Sequence, residues 1–174
     1  MSKNILVTGS GGIGGVNFVN ALKIAKREYI ISGTDFNKYY LELPNLDFKY
    51  RTPRHTDSKF LEKIKEIIDK DKIDFLHPSP HSEASVIAKE IDQINTATYL
   101  PRYDIIIRDK LQTQEILKRN DVPVAKTETV NSLDEVESTK EKFRDEKVWV
   151  RMKSGAGGKL SLLCETVEQI QDWI

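Results

Sequence analysis

Ile5-Leu6-Val7-Thr8-Gly9-Ser10-Gly11-Gly12-Ile13-Gly14-Gly15 is the stretch that decides the fold. Ile5, Leu6 and Val7 form a continuous apolar run stopped by a glycine, the pattern of a strand buried on both faces of a parallel sheet. Beyond the glycines, Val16, Val19, Leu22 and Ala25 recur at helical spacing. A strand, a glycine loop and a helix in that order open an α/β fold. The helix start offers unpaired N–H groups and a partial positive charge, so the loop is suited to a small anionic molecule.

Outward from this unit the alternation continues. Tyr29 to Ser32 is a second apolar run, followed by Gly33-Thr34-Asp35, and Asp47 to Tyr50 is a weaker strand. Ser58 is placed to cap a helix in which Leu61, Ile64, Ile67 and Ile68 share one face. Ile73 to Leu76 is the next strand, ending at His77-Pro78, and Ala84, Ile87, Ala88 and Ile91 mark a further helix. Strands alternating with helices predict a Rossmann-like, doubly wound parallel sheet.

The pattern changes near Tyr103, and a boundary is expected there, with one domain over 1–103 and a second over 104–174. Ile107 to Arg119 predicts a helix ended by Asn120-Asp121-Val122-Pro123. Ser132 with Glu135, and Thr166 with Gln169, fit capping boxes. Between them Val148, Val150 and Met152 alternate with Trp149, Arg151 and Lys153, and Gly155-Ala156-Gly157-Gly158 joins this strand to a return strand through Leu160, Leu162 and Cys164. The second part is therefore expected to be α+β and partial, its last helix ending on exposed Trp173 and Ile174 as a truncated chain would.

Bulk composition narrows the classes. Over 174 residues, Lys+Arg and Asp+Glu both number 27, so no net charge draws the chain to nucleic acid or anionic lipid. Hydrophobic content of 39% with 31% charged residues suits a globular protein. Cys164 is the one cysteine, which excludes an intrachain disulfide and suggests a reducing compartment. No apolar run approaches a membrane span. Met1-Ser2-Lys3-Asn4 runs into the first strand without a signal peptide, so the expected location is the cytoplasm.

Two loops carry the candidate chemistry. The first satisfies T-G-x-x-G-x-x-G, a dinucleotide fingerprint of extended short-chain dehydrogenases, and Asp35 stands where a ribose-binding acid is expected. Taken alone these features point to an NAD(P)-binding dehydrogenase or epimerase. The catalytic Tyr-x-x-x-Lys of that family is absent: none of the six tyrosines has Lys four residues later. In the second loop, a strand delivers Arg151 and Lys153 on one face into Ser154-Gly155-Ala156-Gly157-Gly158. Phosphoryl transfer needs cations against the transferring phosphate and backbone N–H groups to cover it.

With these elements the chain resembles the N-terminal portion of ATP-grasp enzymes, closest to the large subunit of carbamoyl phosphate synthase. The resemblance rests on the order of Gly9 to Gly15, Arg108-Asp109-Lys110, and Val150-Arg151 followed by Gly155 to Gly158, and it covers essentially the whole chain. His77-Pro78-Ser79-Pro80-His81-Ser82-Glu83 is similar to the His-Pro…Ser-Glu segment of biotin carboxylases. The resemblance implies a Rossmann-like pre-ATP-grasp domain, then the start of the ATP-grasp domain. It implies that Lys110, Arg151, Lys153, Ser154, Gly155, Gly157 and Gly158 contact ATP, with Arg151 catalytic. It further implies that Gly9, Ser10, Gly11, Gly12, Asp35, His77 and Glu83 face a small carboxylate or bicarbonate-type substrate. The implied reaction is ATP-dependent ligation through an acyl phosphate that an amine or ammonia captures. A homodimer is compatible with it.

Met152 stands where that family usually has Pro. The Glu and Asn that bind Mg2+ in the family would lie after Ile174, so no metal ligands are assigned within the chain, which is expected to be catalytically incomplete by itself. A non-catalytic nucleotide-binding module is the remaining alternative. His77 and His81 bracket two prolines and are not expected to bind metal. Glu83 has a second explanation as an acid at a helix N-terminus, and Asp35 as the cap of the turn before Phe36-Asn37. Cys164 is expected to be a small core residue.

Overall fold

A computed structural model describes residues 2–144, 146–155 and 160–174. The chain divides into two compact units, Met1–Ile107 and Arg108–Ile174.

In the first unit the elements run β1 (Lys3–Thr8), α1 (Ile13–Lys23), β2 (Tyr29–Asp35), β3 (Phe48–Arg51), α2 (Phe60–Lys70), β4 (Phe75–Pro78), α3 (His81–Lys89), β5 (Ala97–Thr98) and α4 (Tyr103–Ile106). The strands form one sheet in the order β3-β2-β1-β4-β5, every neighbouring pair parallel. The alternation of Ile5, Leu6 and Val7 explains its two-sided burial. Ile5 and Val7 pack with Val19 of α1 and Ile31 of β2. Leu6 turns the other way, into a core with Phe60, Ile64 and Ile67 of α2, Leu76 of β4 and Ile87 of α3. Each of these side chains stabilises the fold by about 2 kcal/mol through burial.

The strand order reverses at β1, whose neighbours β2 and β4 are reached by crossovers in opposite directions. Ligands of open α/β sheets sit outside the carboxyl ends of the strands at such a point. Here that crevice is flanked by Gly9, following β1, and Ser79-Pro80, following β4.

Two local expectations change, and one strand end is as expected. β2 runs through Gly33 and ends at Asp35, the acid expected at the end of this strand. Gly33 does not break the strand; it makes room, since a Cβ there would stand 2.4 Å from Leu46 Cδ1 and 2.8 Å from Ser10 Oγ. Ser58 does not cap α2, because the N-cap is Lys59 and the carboxylate of Asp57 accepts the Lys59 N–H instead (2.9 Å). The helix expected over 107–119 starts later, at Lys110 with Asp109 as its N-cap, and a separate short helix, α4, ends before it at Ile106.

In the second unit the elements are α5 (Lys110–Arg119), α6 (Val136–Glu141), β6 (Val148–Arg151), β7 (Ser161–Cys164) and α7 (Val167–Trp173). β6 and β7 form the expected antiparallel hairpin, with Trp149 opposite Leu163 and Arg151 opposite Ser161. Its inner face places Val148, Val150 and buried Cys164 against Val136 and Ile170 of α6 and α7. Met152 lies past the strand and is exposed. Thr166 caps α7, accepting the Gln169 N–H at 3.3 Å. Ser132 makes no such bond; a 3-10 turn, Leu133–Glu135, intervenes, and Glu135 accepts the Asn131 N–H. Among the described residues no helix is long and apolar enough to cross a membrane.

Candidate functional site

The first glycine loop is built by contact, not by looseness. Gly9 has φ +54°, and a Cβ there would stand 2.1 Å from Pro80 Cγ. Gly11 is covered by Tyr40, whose carbonyl oxygen would lie 2.4 Å from an added Cβ. Gly15 permits α1 to pass close to the Ser10 backbone, at 2.6 Å from the same construction. Gly12 is the exposed N-cap of α1, and no side chain caps this helix nor does an acid lie in its first turn. The first N–H groups of α1 therefore have no intrahelical acceptor and keep their partial positive charge.

Four residues assigned to this site from sequence take definite roles here. Ser10 is fully buried, and both its N–H (2.9 Å) and its hydroxyl (3.2 Å) donate to the Thr34 carbonyl. Asp35 is buried and accepts the Asn37 N–H at 2.9 Å, so its carboxylate shapes the turn after β2. His77 stacks on Phe18 of α1, with ring centroids 3.7 Å apart, and burial lowers its pKa. Glu83, in the first turn of α3, comes to the glycine loop, its Oε2 lying 3.5 Å from the position a Gly9 Cβ would take.

Glu83 is only 5% exposed, and its Oε2 has no hydrogen-bond partner. Burial is the largest influence on its carboxyl, the Asp35 charge reinforces it, and the pKa rises to about 7. The Thr8 and Thr34 hydroxyls, at the ends of β1 and β2, are also buried without partners. Sequence patterns missed these two threonines because a strand threonine is ordinary. A clue was their position just before the glycine and the acid that end their strands.

The second candidate cluster lies wholly in the second unit. Asp109 caps α5 through a reciprocal box with Gln112, donor to acceptor distances being 2.8 and 3.1 Å. That backbone bond, with a lesser contribution from Lys153, holds the Asp109 carboxyl below its usual pKa. The Lys153 ammonium lies 3.3 Å from Asp109 Oδ2. Lys110, the first residue of α5, donates to the Gly155 carbonyl at 2.8 Å. The start of α5 and the end of the β6 strand are thus joined by two lysines. Arg151 ends β6, exposed, with no carboxylate partner among the described residues, and Ser154 is likewise exposed. Gly155 has φ +117° and open space around it. Gly157 and Gly158 lie outside the described residues. Among the described residues no group of three or more His, Cys, Asp or Glu is placed to hold a metal ion.

No family model matches the sequence, and no curated protein is similar to it. Solved structures are similar in fold. N5-carboxyaminoimidazole synthetase from Staphylococcus aureus, complexed with ADP, matches with a TM-score of 0.68 at 17% identity, over 99% of this chain and 44% of that one. The biotin carboxylase domain of the Hydrogenobacter thermophilus 2-oxoglutarate carboxylase, in complex with MgADP, ADP and bicarbonate, matches with a TM-score of 0.63 at 17% identity, over 98% and 39%. L-amino acid ligase from Bacillus licheniformis matches at 0.64 and 12% identity, over 98% and 41%. All three are ATP-grasp superfamily members.

The chain shares its fold with part of each of these structures.

It spans about two-fifths of the length of these structures. The parallel sheet of the first unit is consistent with the N-terminal domain of such enzymes.

Proposed function

We propose that this chain forms part of an ATP-dependent ligase that joins a carboxylate or bicarbonate to an amine or ammonia, in the manner of carbamoyl phosphate synthase. The observation that carries the proposal is the meeting of Lys110 with Gly155 and of Asp109 with Lys153. Lys110 is held by a peptide carbonyl, not a carboxylate, so its charge remains to be neutralised by a ligand. Arg151 adds a second uncompensated cation at the same strand end. Such a set suits a polyphosphate, with Ser154 and Gly155 covering it and Mg2+ bound alongside the nucleotide. In this reading 1–103 is the pre-ATP-grasp domain and 104–174 the start of the ATP-grasp domain.

The first glycine loop then receives the substrate rather than a nucleotide. The open first turn of α1 suits an anion, and Gly9, Gly11 and Gly12 bring backbone close to it. Glu83, neutral or charged near pH 7, stands behind Gly9 and can donate or accept a proton there. In the proposed reaction a carboxylate oxygen attacks the terminal phosphorus of ATP, the bond to ADP breaks, and the amine then displaces phosphate from the acyl phosphate. Arg151 would stabilise the charge on the transferring phosphoryl group.

Calorimetry tests the choice of cofactor. The 174-residue chain is expected to take up MgATP weakly, in the millimolar range, and NAD not at all. Lys110→Ala is expected to weaken MgATP binding about tenfold, the loss of one charge-assisted contact. Tight NAD binding unaffected by Lys110→Ala would instead establish the dehydrogenase reading.

A further inference from the structure

A cavity of about 400 Å³ opens at the carboxyl ends of β2 and β3, lined by Phe36, Asn37, Lys38, Tyr39 and Arg51. This is within the size range of small-molecule sites. Its walls are fixed before any ligand arrives. Asp35 accepts the Asn37 N–H, and Asn37 Oδ1 accepts the Tyr39 N–H at 3.0 Å, so two successive side chains pin the loop. Arg51 Nε donates to the Phe36 carbonyl at 3.2 Å, which anchors the guanidinium at the wall. The Arg54 guanidinium lies on the Phe36 ring, 3.9 Å from its centroid. The Lys38 ammonium stands 5.0 Å from the centroid of Tyr39.

The chain as a whole is neutral, but this place is not. The neighbouring carboxylates are engaged elsewhere: Glu42 pairs with Lys49, Asp47 with Lys23, and Asp35 is buried against its turn. Among the described residues no carboxylate pairs with Lys38, Arg51 or Arg54. Three uncompensated cations attract an anion, and two arginines favour the forked geometry of a phosphate. A bare inorganic anion would leave the aromatic surface unused. Tyr39 is 70% exposed, although large aromatic side chains usually bury their rings. An exposed ring that shares its cavity with Lys38 and Arg51 is a stacking platform for a flat, electron-rich group.

We propose that this cavity binds a phosphate monoester bearing a planar ring, of the nucleoside monophosphate class, with the phosphate on Arg51, Arg54 and Lys38 and the ring on Tyr39. The site belongs to the first unit and stands on none of the residues assigned to ATP, so it does not depend on the ligase proposal. The sequence gives little sign of it, because its residues come from two segments separated by β3.

The test is a titration of the 174-residue chain with AMP, followed by amide chemical shifts and calorimetry, with inorganic phosphate and adenosine as separate probes. AMP is expected to shift the amides of residues 36–39 and 51–54. Arg51→Ala and Arg54→Ala, both at exposed positions, are expected to weaken it about tenfold each, as are removal of the ring or of the phosphate from the ligand. Unchanged circular dichroism establishes that the variants fold. The proposal is overturned if AMP shifts no amide in these segments. It is equally overturned if phosphate alone binds as tightly as AMP, or if both variants bind AMP like the parent chain.

Discussion

The two glycine loops look alike in sequence, but the glycines described in each are opposites in structure. In the first, Gly9, Gly11 and Gly15 are glycines because neighbouring atoms occupy the space a Cβ would need. In the second, Gly155 has nothing within 4 Å of that space and is distinguished by its backbone angle alone. One loop is packed at the carboxyl end of the central strand, its shape set before any ligand arrives. In the other, Gly155 stands in open space and its carbonyl accepts from the Lys110 ammonium. A glycine-rich motif thus reports close backbone approach in one place and conformational range in the other, and only the neighbours reveal which.

Substitution should separate the two. Gly9→Ala is expected to destabilise the first unit by more than about 3 kcal/mol, because it combines overlap with Pro80 and a positive φ. Denaturant unfolding would measure it, and a loss below about 1 kcal/mol would mean that Pro80 moves aside freely.

Glu83 sharpens the contrast from inside the packed loop. Its carboxyl titrates near pH 7 in the folded chain, against 4.5 ordinarily. Between those values the folded state holds a proton that the unfolded state has released. Stability is therefore greatest below pH 4.5 as far as this group is concerned, falls as pH rises to about 7, and is level beyond. The cost above pH 7 is on the order of 3 kcal/mol. Glu83→Gln is expected to recover up to that amount at pH 8 and to flatten the dependence between pH 4.5 and 7. An unaltered pH profile of unfolding would show that Glu83 is hydrated.

Smaller effects are expected elsewhere. Gly155→Ala should cost no more than about 2 kcal/mol, all of it backbone strain, since no atom is in the way. Thr34→Val removes a buried hydroxyl with no partner and should be neutral or stabilising by about 1 kcal/mol. A clear destabilisation in thermal melts would point to a bound water satisfying that hydroxyl.

The sheet was legible because its signals are local. Ile5-Leu6-Val7 carries both faces of β1 within three residues, and Phe60 to Ile68 shows its buried stripe directly. Errors arose where a residue acts on a distant neighbour. That Gly33 accommodates Leu46 and Ser10 inside β2 is likewise a matter of distant neighbours. Ser58 had the right residue type for a cap, but the Asp57 carboxylate, one residue earlier, took the exposed N–H. The turn that Asp35 shapes was legible as its second explanation, whereas the Phe18 ring on which His77 stacks is a contact between segments that no local pattern shows. Asp109-Lys110 was legible as a motif; that Lys110 reaches Gly155, far along the chain, was not, since nothing in either segment encodes the distance.

The central claim is that nucleotide phosphate is held at the start of α5 and the end of β6, not at the first glycine loop. Mapping the backbone amides of the 174-residue chain during a MgATP titration tests it most directly. The claim predicts shifts at Lys110, Leu111 and residues 151–155 that disappear in Lys110→Ala. Shifts at Gly9 to Gly15 that persist in that variant, with residues 110 and 151–155 unmoved, would contradict it.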